Sequence, residues 1–582
     1  MLYHPVRKKI IRHSVPPQVT GLDHLPPLLQ RIYSARQLNS ASELDRSLAR
    51  LPSPYLLTGM TVMVEHLEAV IRQQRKLLIV ADYDADGATA CCVALLGLGL
   101  LGAERVDYLV PSRFGFGYGL TAELVRVAVA QYKPEVLLTV DNGISSLEGV
   151  RVAHELGIEV LITDHHLPGR ELPAAAAIVN PHLPGDRFPG RSLAGVGVMF
   201  QVLLALRQKL RDSGWFLEKG REEPHLGQLL DLVALGTVAD VVALDHVNRI
   251  LVHQGLLRIR KGLARPGLLA LMAVAGRQYQ KTTATELAFA IAPRLNAAGR
   301  MEDMSTGIEC LLNSDVNQAR ELAHSLDSLN RTRRQVEEQM TAEALQQLDN
   351  LAPTELLSRF GICLYDADWH QGVIGILASR IKDRLYRPVI AFAPAGDEIK
   401  GSARSIDGVH IRDVLSDIAT AHPNLIKKFG GHAMAAGLSL EPEQFDHFAR
   451  LFDATIAARL AGRDMERGLV SDGSLSALEI DLAMAETLEA SGPWGQGFPE
   501  PLFDGEFEVL SCRILKEKHL KFVLKPLDGE RPIDGIAFSV ESPEAWLACS
   551  PVRLAYRLDV NEYRDQRNVQ LRVEYMEAHP GN

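Results

Sequence analysis

Cysteine is scarce in this sequence of 582 residues, and no two cysteines are spaced as a CxxC pair. The six cysteines are Cys91, Cys92, Cys310, Cys363, Cys512 and Cys549. Their scatter indicates buried thiols in a reducing cytoplasm rather than a framework of disulfides.

Long apolar runs and an excess of positive charge are also lacking. The longest apolar run, near Cys91 to Ala103, is shorter than the roughly 20 residues that a membrane span needs. The basic N-terminal stretch "MLYHPVRKKIIRHSVPP" has no apolar core behind it, so it does not resemble a secretory signal. The net charge of -10 argues against indiscriminate coating of nucleic acid, although it leaves room for a local basic channel. We therefore expect a soluble, cytoplasmic protein.

The sequence does contain a regular alternation of short apolar strands and helices from Lys76 onwards. "KLLIV", "VDYLVP", "EVLLTV" and "EVLIT" read as strands, and the segments between them read as helices. This order predicts an α/β fold with a parallel sheet and crossover helices. In such sheets the chemistry usually lies where the strands end.

The rest of the chain changes character twice. Residues from about Asn317 to Asn350 read as one long charged helix, and a second, smaller α/β unit begins near Gly361. The last hundred residues hold short alternating segments that predict a small β-barrel or sandwich. The expected domains are an N-terminal arm with short helices (1–55), a catalytic α/β domain (56–316), a connecting helix (317–352), a second α/β domain (353–468) and a barrel (469–577).

Three aspartates follow the first strand in "VADYDADGAT". Asp82, Asp84 and Asp86 stand at alternate positions, so an extended segment would put their carboxylates on one face, where they repel unless cations neutralise them. The alternative is ordinary turn and capping chemistry. That alternative suits one aspartate better than three, and the pattern therefore favours a metal site.

Further polar groups follow the next strands. Asp141 comes after "LLTV", and Asp164, His165 and His166 come after "EVLIT". Neighbouring residues of a strand point to opposite faces, so one histidine can bind a metal while the other faces substrate. Asp240, inside the apolar run "LGTVADVV", reads as a further ligand, with a buried cap or ion-pair partner as its alternative role.

This set contains hard oxygen ligands, one or two imidazoles and no thiolate. It suits Mg²⁺ or Mn²⁺ better than structural zinc. So many carboxylates predict two ions about 4 Å apart with one bridging aspartate, an arrangement that activates water against a phosphodiester.

The motifs "DYDADG", "VDNG", "DHH" and "GTVADVV" follow one another in this order. In sequence and order they resemble the four motifs of the DHH phosphoesterase superfamily. "APRLNAAGRM", "WHQGVIGILASR", "KGSARS", "KFGGHAMAAG" and "GPWGQGFPEP" extend the likeness over roughly Leu56 to Glu577. Within the superfamily, the chain resembles the bacterial exonucleases that degrade single-stranded DNA from the 5′ end.

The resemblance implies a role for each of these residues. The metal ligands would be Asp84, Asp86, Asp141, His165 and Asp240, with Asp141 as the bridge and Asp82 as a further acidic position. His166 would face the scissile phosphate, and Asp164 would orient its neighbours. Val80 stands where many relatives have a metal-binding histidine, which predicts one ligand-poor site. Asn142 stands where many relatives have cysteine, which should matter less.

Substrate contacts are expected outside the metal site. By resemblance, Arg300, Ser402 and Arg404 are candidates to hold the 5′-phosphate, together with Arg294 and Asn296, while His370 and His432 lie in substrate-side motifs. Each arginine could instead form a structural ion pair, and each histidine could be structural. Tyr118 is the candidate for stacking on a terminal nucleotide, although it could equally anchor its loop on the core.

The resemblance also implies an oligonucleotide-binding (OB) barrel at the C-terminus, with Arg513, Lys516, Lys518, Lys521 and Phe522 on its binding face. A channel too narrow for a duplex would give the specificity for single strands. The expected partners are single-stranded DNA, a single-strand-binding protein and a repair helicase. The protein itself is expected to be a monomer that does not bind a membrane.

Two other functions would fit part of the pattern. A small-molecule phosphodiesterase of the same superfamily would share the ligands, although it would not need a barrel and is usually shorter. A non-catalytic replication scaffold would typically lose the acidic motifs, and this sequence keeps them.

Overall fold

The computed structural model describes residues 8–14, 19–38, 40–113, 115–351, 356, 358–461, 467–563 and 566–578. The chain divides into two compact units. The first comprises Val15–Asn330 and Thr487–Glu500, and the second comprises Met1–Ser14, Arg331–Glu486 and Pro501–Asn582. The domain limits expected from the sequence stay predictions, and the start of the expected N-terminal arm (residues 1–7) lies outside the described residues.

The strands are numbered in chain order. They are β1 (Lys8–Arg12), β2 (Leu77–Ala81), β3 (Val106–Leu109), β4 (Val136–Val140), β5 (Glu159–Thr163), β6 (Ala177–Val179), β7 (Ile362–Tyr365), β8 (Val389–Ala395), β9 (Glu398–Arg404), β10 (Lys428–Gly431), β11 (Ala435–Leu440), β12 (Arg467–Ser471), β13 (Phe503–Leu515), β14 (His519–Pro526), β15 (Ile533–Ala537), β16 (Val552–Tyr563) and β17 (Gln566–Ala578).

The helices are numbered in the same way. They are α1 (Pro27–Ala35), α2 (Met60–Gln73), α3 (Ala85–Leu101), α4 (Ala122–Tyr132), α5 (Leu147–Glu155), α6 (Gly195–Asp212), α7 (Trp215–Glu218), α8 (Leu230–Ala239), α9 (His246–Arg260), α10 (Pro266–Val274), α11 (Ala284–Glu286), α12 (Ala292–Met301), α13 (Ser305–Leu312), α14 (Val316–Asp349), α15 (Ile374–Leu385), α16 (Ile411–Ala421), α17 (Phe445–Leu460) and α18 (Leu482–Ser491). A short π-helix, Leu287–Ile291, separates α11 from α12.

The first unit is built on a five-stranded parallel sheet in the order β3-β2-β4-β5-β6. Every residue of β2 and β4 is buried, as expected of strands covered on both faces. On one face, the apolar side chains of β2, β4 and β5 pack with those of α4 and α5. The parallel sheet predicted from the apolar runs is thus confirmed.

The second unit contains a mixed five-stranded sheet in the order β10-β11-β9-β8-β7, in which only β7 and β8 run parallel. One face of this sheet carries a core formed with α16 and α17, which includes Phe392, Leu438, Phe448 and Phe452. The smaller α/β domain predicted from the sequence is therefore present.

The C-terminal strands of the second unit close into a barrel in the order β13-β14-β15-β17-β16. Inward and outward residues alternate along β14, so Leu520, Phe522 and Leu524 are buried. Closure leaves no open sheet edge, and it confirms the predicted OB-like barrel.

The N-terminal segment differs from the expectation of short helices alone. Strand β1 pairs in parallel with β12, from Lys8 opposite Arg467 to Arg12 opposite Ser471. Arg12 donates to both carboxylate oxygens of buried Asp504 at 2.8–3.2 Å, across 492 residues of sequence. Sequence patterns do not reveal a pairing between segments so far apart.

Among the described helices, none is both long enough and apolar enough to cross a membrane.

Candidate metal centre

The polar groups that follow β2, β4 and β5 meet at one edge of the parallel sheet. These strands are neighbours, so their carboxyl ends bring together Asp82, Asp141 and the segment Asp164-His165-His166. All three aspartates are buried. The strand order therefore assembles a polar cluster that is dispersed over more than eighty residues of sequence.

The first motif is held by backbone N–H groups. Asp84 caps α3, where its carboxylate accepts hydrogen bonds from the amides of Asp86 and Gly87 at 3.0 Å. Asp86 accepts from Gly195 (2.6 Å) and Val196 (2.9 Å) at the N-terminus of α6. A helix N-terminus offers unpaired N–H donors and a favourable dipole, so it fixes this carboxylate in place.

Asp141 has a left-handed backbone conformation, with φ of 63°. Its amide donates to the Thr163 carbonyl at 3.1 Å, which extends the pairing of β4 with β5. Gly195 lies against it so closely that a Cβ at residue 195 would meet the Asp141 Cβ at 2.5 Å. Glycine is therefore required at this position for Asp141 to occupy its place.

Asp164 organises its own segment of chain. Its carboxylate accepts from the amides of His165 (2.7 Å), His166 (3.0 Å) and Ile144 (2.9 Å), and it contacts His166 Nδ1 at 2.8 Å. Burial acts to raise the pKa of Asp164, but the His166 hydrogen bond and nearby histidine charge lower it overall. Asp164 thus stays charged, and it fixes the backbone of both histidines and the ring of His166.

His165 faces the carboxylates. Its Nε2 lies 3.0 Å from Asp141 Oδ1, 3.5 Å from Asp240 Oδ2 and 3.9 Å from Asp86 Oδ2. Asp240 reaches the cluster from the C-terminal end of α8. One imidazole therefore lies among carboxylates from three separate elements.

Three overlapping groups of side chains have ligand atoms that all lie within 4.8 Å of one another. Asp141 and His165 each belong to two of these groups. The groups are Asp82, Asp84 and Asp141; Asp86, His165 and Asp240; and Asp141, His165 and His166.

The charges in this cluster need neutralising. Burial, followed by repulsion from neighbouring carboxylates, raises the pKa of Asp82 to about 8 and that of Asp86 to about 7. The same causes raise the pKa of Asp141 and Asp240 well above the usual value. A site in which so many carboxylates have a raised pKa suits divalent cations, because the cations neutralise the negative charge and take carboxylate oxygens as ligands.

The His166 ring faces the aromatic side chain of Tyr118. Both of its ring nitrogens lie 3.1–3.2 Å from the Tyr118 hydroxyl, and the two rings meet edge to face. Tyr118 also meets Tyr83 edge to face, and the Arg113 guanidinium lies 4.2 Å from the centre of the Tyr83 ring. Burial acts to lower the pKa of His166, but Asp164 raises it to about 9 overall.

The "RLNAAGR" helix, α12, supports the first motif. Asn296 accepts a hydrogen bond from the Ala85 amide at 2.8 Å, and a Cβ at Gly299 would meet the Tyr83 carbonyl oxygen at 2.0 Å. Arg294 pairs with Asp327 at 2.8 Å and also donates to the Ala290 carbonyl in the π-helix. The substrate-binding roles expected of Arg294, Asn296 and Arg300 stay predictions.

The substrate candidates of the second unit are Ser402, Arg404, His370 and His432, and two of them, Ser402 and Arg404, are in contact. Arg404 Nη1 donates to Ser402 Oγ at 3.1 Å on β9. A Cβ at Gly375, in the first turn of α15, would meet both side chains at 2.8–2.9 Å. His370 accepts from the Gly372 amide just before α15, and the His432 amide donates to Ala435 in the β10–β11 turn. Their roles also stay predictions.

Sequence reasoning did not identify Gly195 and Val196. The only signal was "LAGVGVMF", in which glycines open an otherwise apolar helix. Val80 packs in the core shared with α4 and α5, and its expected replacement of a metal-binding histidine stays a prediction. Asn142 donates to the carbonyls of Val80 and Val140, so it ties β2 to β4.

Comparison with protein-family models found three matches. Residues 76–237 match the DHH family N-terminal domain, residues 358–458 match the DHHA1 domain, and residues 471–575 match the RecJ OB domain.

Relatives that match nearly the whole chain indicate the same family. A single-stranded-DNA-specific exonuclease RecJ of Dickeya dadantii is 52% identical over 95% of this chain and 96% of its own. The crystal structure of RecJ from Thermus thermophilus in complex with Mn²⁺ matches with a TM-score of 0.82 and 30% identity, over 98% of this chain and 80% of that one. The structure in complex with Mg²⁺ matches with a TM-score of 0.76 and 28% identity, over 98% and 78%.

Proposed function

The chain belongs to the RecJ family of single-stranded-DNA-specific exonucleases, and from that premise we propose that it removes mononucleotides from the 5′ end of single-stranded DNA with two bound divalent cations. The reaction class, exonuclease action on single-stranded DNA, follows from the family. The two-ion mechanism is supported chiefly by one observation, the sharing of Asp141 and His165 between adjoining ligand groups. The direction rests on the resemblance of the sequence motifs to those of exonucleases that act from the 5′ end.

The ions would be Mn²⁺ or Mg²⁺, in line with the Thermus relatives. Asp82, Asp84 and Asp141 would hold one ion; Asp86, Asp141, His165 and Asp240 would hold the other, with Asp141 between them. When bound, such a pair activates a water molecule and neutralises the charge that develops on the phosphodiester.

The chain's own groups orient this chemistry. The N–H groups at the start of α6 hold Asp86, and Asp164 holds the His166 ring by its Nδ1 side. His166, which is positively charged when protonated, would face the scissile phosphate and stabilise its oxygen, while the Tyr118 ring would pack on the terminal base.

The 5′ end would be held in the second unit. Ser402 and Arg404 lie beside the N-terminus of the twelve-residue helix α15. The two side chains would offer a fork of donors to a phosphate, and the helix would add the positive end of its dipole. Arg300 would assist, with Arg294, Asn296, His370 and His432 as further candidate contacts. The barrel would bind the following strand through Arg513, Lys516, Lys518 and Lys521. The expectation for Phe522 was wrong, because strand alternation turns this side chain into the buried interior of the barrel.

We also place this activity in recombination and repair of DNA in the cytoplasm. The protein would act there as a monomer beside a single-strand-binding protein and a helicase. A membrane plays no part in this proposal.

The direct test compares single-stranded DNA labelled at its 5′ or its 3′ end, with Mn²⁺, Mg²⁺ or a chelator. Early release of a labelled mononucleotide from the 5′-labelled strand alone, and none with the chelator, is the expected result. Early release from the 3′ label would reject the direction. Calorimetric titration with Mn²⁺ is expected to show two sites per chain, and a single site would reject the two-ion mechanism.

A further inference from the structure

The motif "GPWGQGFPEP" forms a loop that packs within the first unit. Thr487–Glu500 belong to this unit, although the residues on both sides of them in the sequence belong to the second. Backbone hydrogen bonds between Gly495 and Phe498, at 2.9 and 3.1 Å, close a tight turn with Gln496 and Gly497 at its tip. Gly497 has a φ of 70°, a conformation that favours glycine. The proposed chemistry assigns this motif no role.

Aromatic stacking fixes the turn in place. The rings of Trp494 and Phe498 stack with 5.2 Å between their centres, and the Arg249 guanidinium of α9 lies 4.4 Å from the centre of the Phe498 ring. Tyr33 of α1 stacks on both rings at 6.2–6.3 Å. Its hydroxyl also donates to the Ser491 carbonyl at 3.0 Å. Two helices therefore hold the turn.

The tip of the turn contacts the segment that follows α8. The Leu244 amide donates to the Gln496 carbonyl at 2.7 Å. A Cβ at Gly497 would meet the Ala243 Cβ at 3.0 Å, and one at Gly495 would meet the Leu244 Cδ1 at 2.8 Å. Both glycines thus allow the turn and this segment to approach each other closely.

The backbone between this contact and Asp240 is strained. Val241 has a φ of 61°, and a β-branched side chain is an outlier in the left-handed region. Its side chain is 62% exposed, so its own packing does not hold it there. Such a conformation persists only where the surrounding structure imposes it. Here both ends are fixed, because the Asp240 amide donates to the Gly236 carbonyl at 3.0 Å and the turn holds Leu244.

We propose that the turn, residues 495–498, is a clamp that holds Val241 in its left-handed conformation and thereby keeps the Asp240 carboxylate at the metal centre. Asp240 Oδ2 lies 3.5 Å from His165 Nε2, and residues 241–243 link Asp240 directly to the clamped Leu244. The residues of the clamp are positioning residues, since they act through Asp240. This inference rests on the proposed function, in which Asp240 is a metal ligand.

The test titrates the full chain with Mn²⁺ by calorimetry and measures the Tm of the same variants without metal. Gly497→Ala adds a strained Cβ against Ala243, so the clamp must shift and Val241 is released from its conformation. We expect Mn²⁺ to bind one site about tenfold more weakly, as for other changes that act on a metal ligand indirectly.

Gly276→Ala is the matched control for this substitution. Gly276 has a similar φ of 66°, and a Cβ there would meet nothing within 4 Å. The control should lower the Tm through the same backbone strain, yet it should bind Mn²⁺ like the wild type. Equal Mn²⁺ affinity in the two variants would overturn the clamp.

A second substitution separates positioning from general stability. Val241→Gly should keep the wild-type Mn²⁺ affinity, because glycine populates the left-handed conformation readily. For the same reason, adding it to Gly497→Ala should restore most of the lost affinity, while the Tm stays below that of Val241→Gly alone. Affinity that is not restored in the double variant would overturn the role of Val241.

Gly495→Ala is a milder probe of the same contact, because its Cβ would meet only the Leu244 side chain. It should weaken Mn²⁺ binding severalfold with little change in Tm, and unchanged affinity would count against the clamp. Failure of the wild-type chain to bind Mn²⁺ would instead count against the proposed function.

Discussion

The metal centre of the first unit and the sheet face of the second unit are built on opposite principles. The metal centre gathers buried and half-buried carboxylates, and backbone N–H groups fix Asp84, Asp86 and Asp164. On the face of the mixed sheet that carries Ser402, Lys400 is exposed, Ser402 and Arg404 are half-buried, and Arg404 donates to Ser402. In the proposed function, the chemistry would depend on rigid, desolvated groups, whereas binding of the 5′-phosphate would depend on accessible hydrogen-bond donors.

The largest effect is expected where the ligand groups overlap. Asp141→Asn keeps the size and tolerates the left-handed backbone, but removes the charge shared between the two proposed ion sites. We expect exonuclease activity to fall about 1000-fold, since several kcal/mol of transition-state stabilisation is lost. Steady-state release of mononucleotides measures it.

Asp212→Asn, an exposed substitution in the same unit, is the control and should retain full activity. If Asp141→Asn kept most of its activity at saturating Mn²⁺, Asp141 would not be the bridge, and the contrast between the two regions would weaken.

A smaller effect is expected from the glycine that supports the metal centre. Gly195→Ala places a Cβ where Asp141 now lies, so the carboxylate must move relative to Asp86 and His165. We expect activity to fall about 10- to 100-fold, as for other changes that shift metal ligands indirectly. Kinetics together with Mn²⁺ titration would measure it.

Gly99→Ala is the control for this substitution, because Gly99 lies in a helix and an added Cβ would have nothing within 4 Å. Gly214→Ala would be a poor control, because Gly214 has a positive φ. Unchanged Mn²⁺ affinity in Gly195→Ala would show that the cluster tolerates displacement and that the metal centre is less rigid than its hydrogen bonds indicate.

The smallest effect should come from the second unit, and it should fall on binding. Arg404→Lys keeps the charge but loses the planar fork that donates to Ser402 and matches a phosphate. We expect KM for 5′-phosphorylated single-stranded DNA to rise about tenfold with kcat nearly unchanged.

The same variant assayed on DNA with a 5′-hydroxyl end should lose little, because no terminal phosphate is present to contact. A fall in kcat with constant KM would place Arg404 in the chemistry and remove the contrast between the regions.

Most of the first unit could be predicted from sequence because its strands are short, apolar and separated by amphipathic helices. The predicted strands "KLLIV" and "EVLLTV" correspond to Leu77–Ala81 and Val136–Val140. The expected cluster of Asp82, Asp141 and His165 follows from the same reasoning, because parallel strands end at one edge. The contacts of Asn296 with the first motif, and of Arg294 with Asp327, required the packing of α12, which no local pattern records.

The sequence by itself determined the order of strands and helices, the acidic tips of the strands and the hard-ligand chemistry, since periodicity and residue type are local properties. Only the tertiary structure decided that Gly195 and Val196 hold Asp86 and that β1 pairs with β12. These relations join residues that are distant in the chain, and they arise from strand register and helix packing, which depend on all the elements at once.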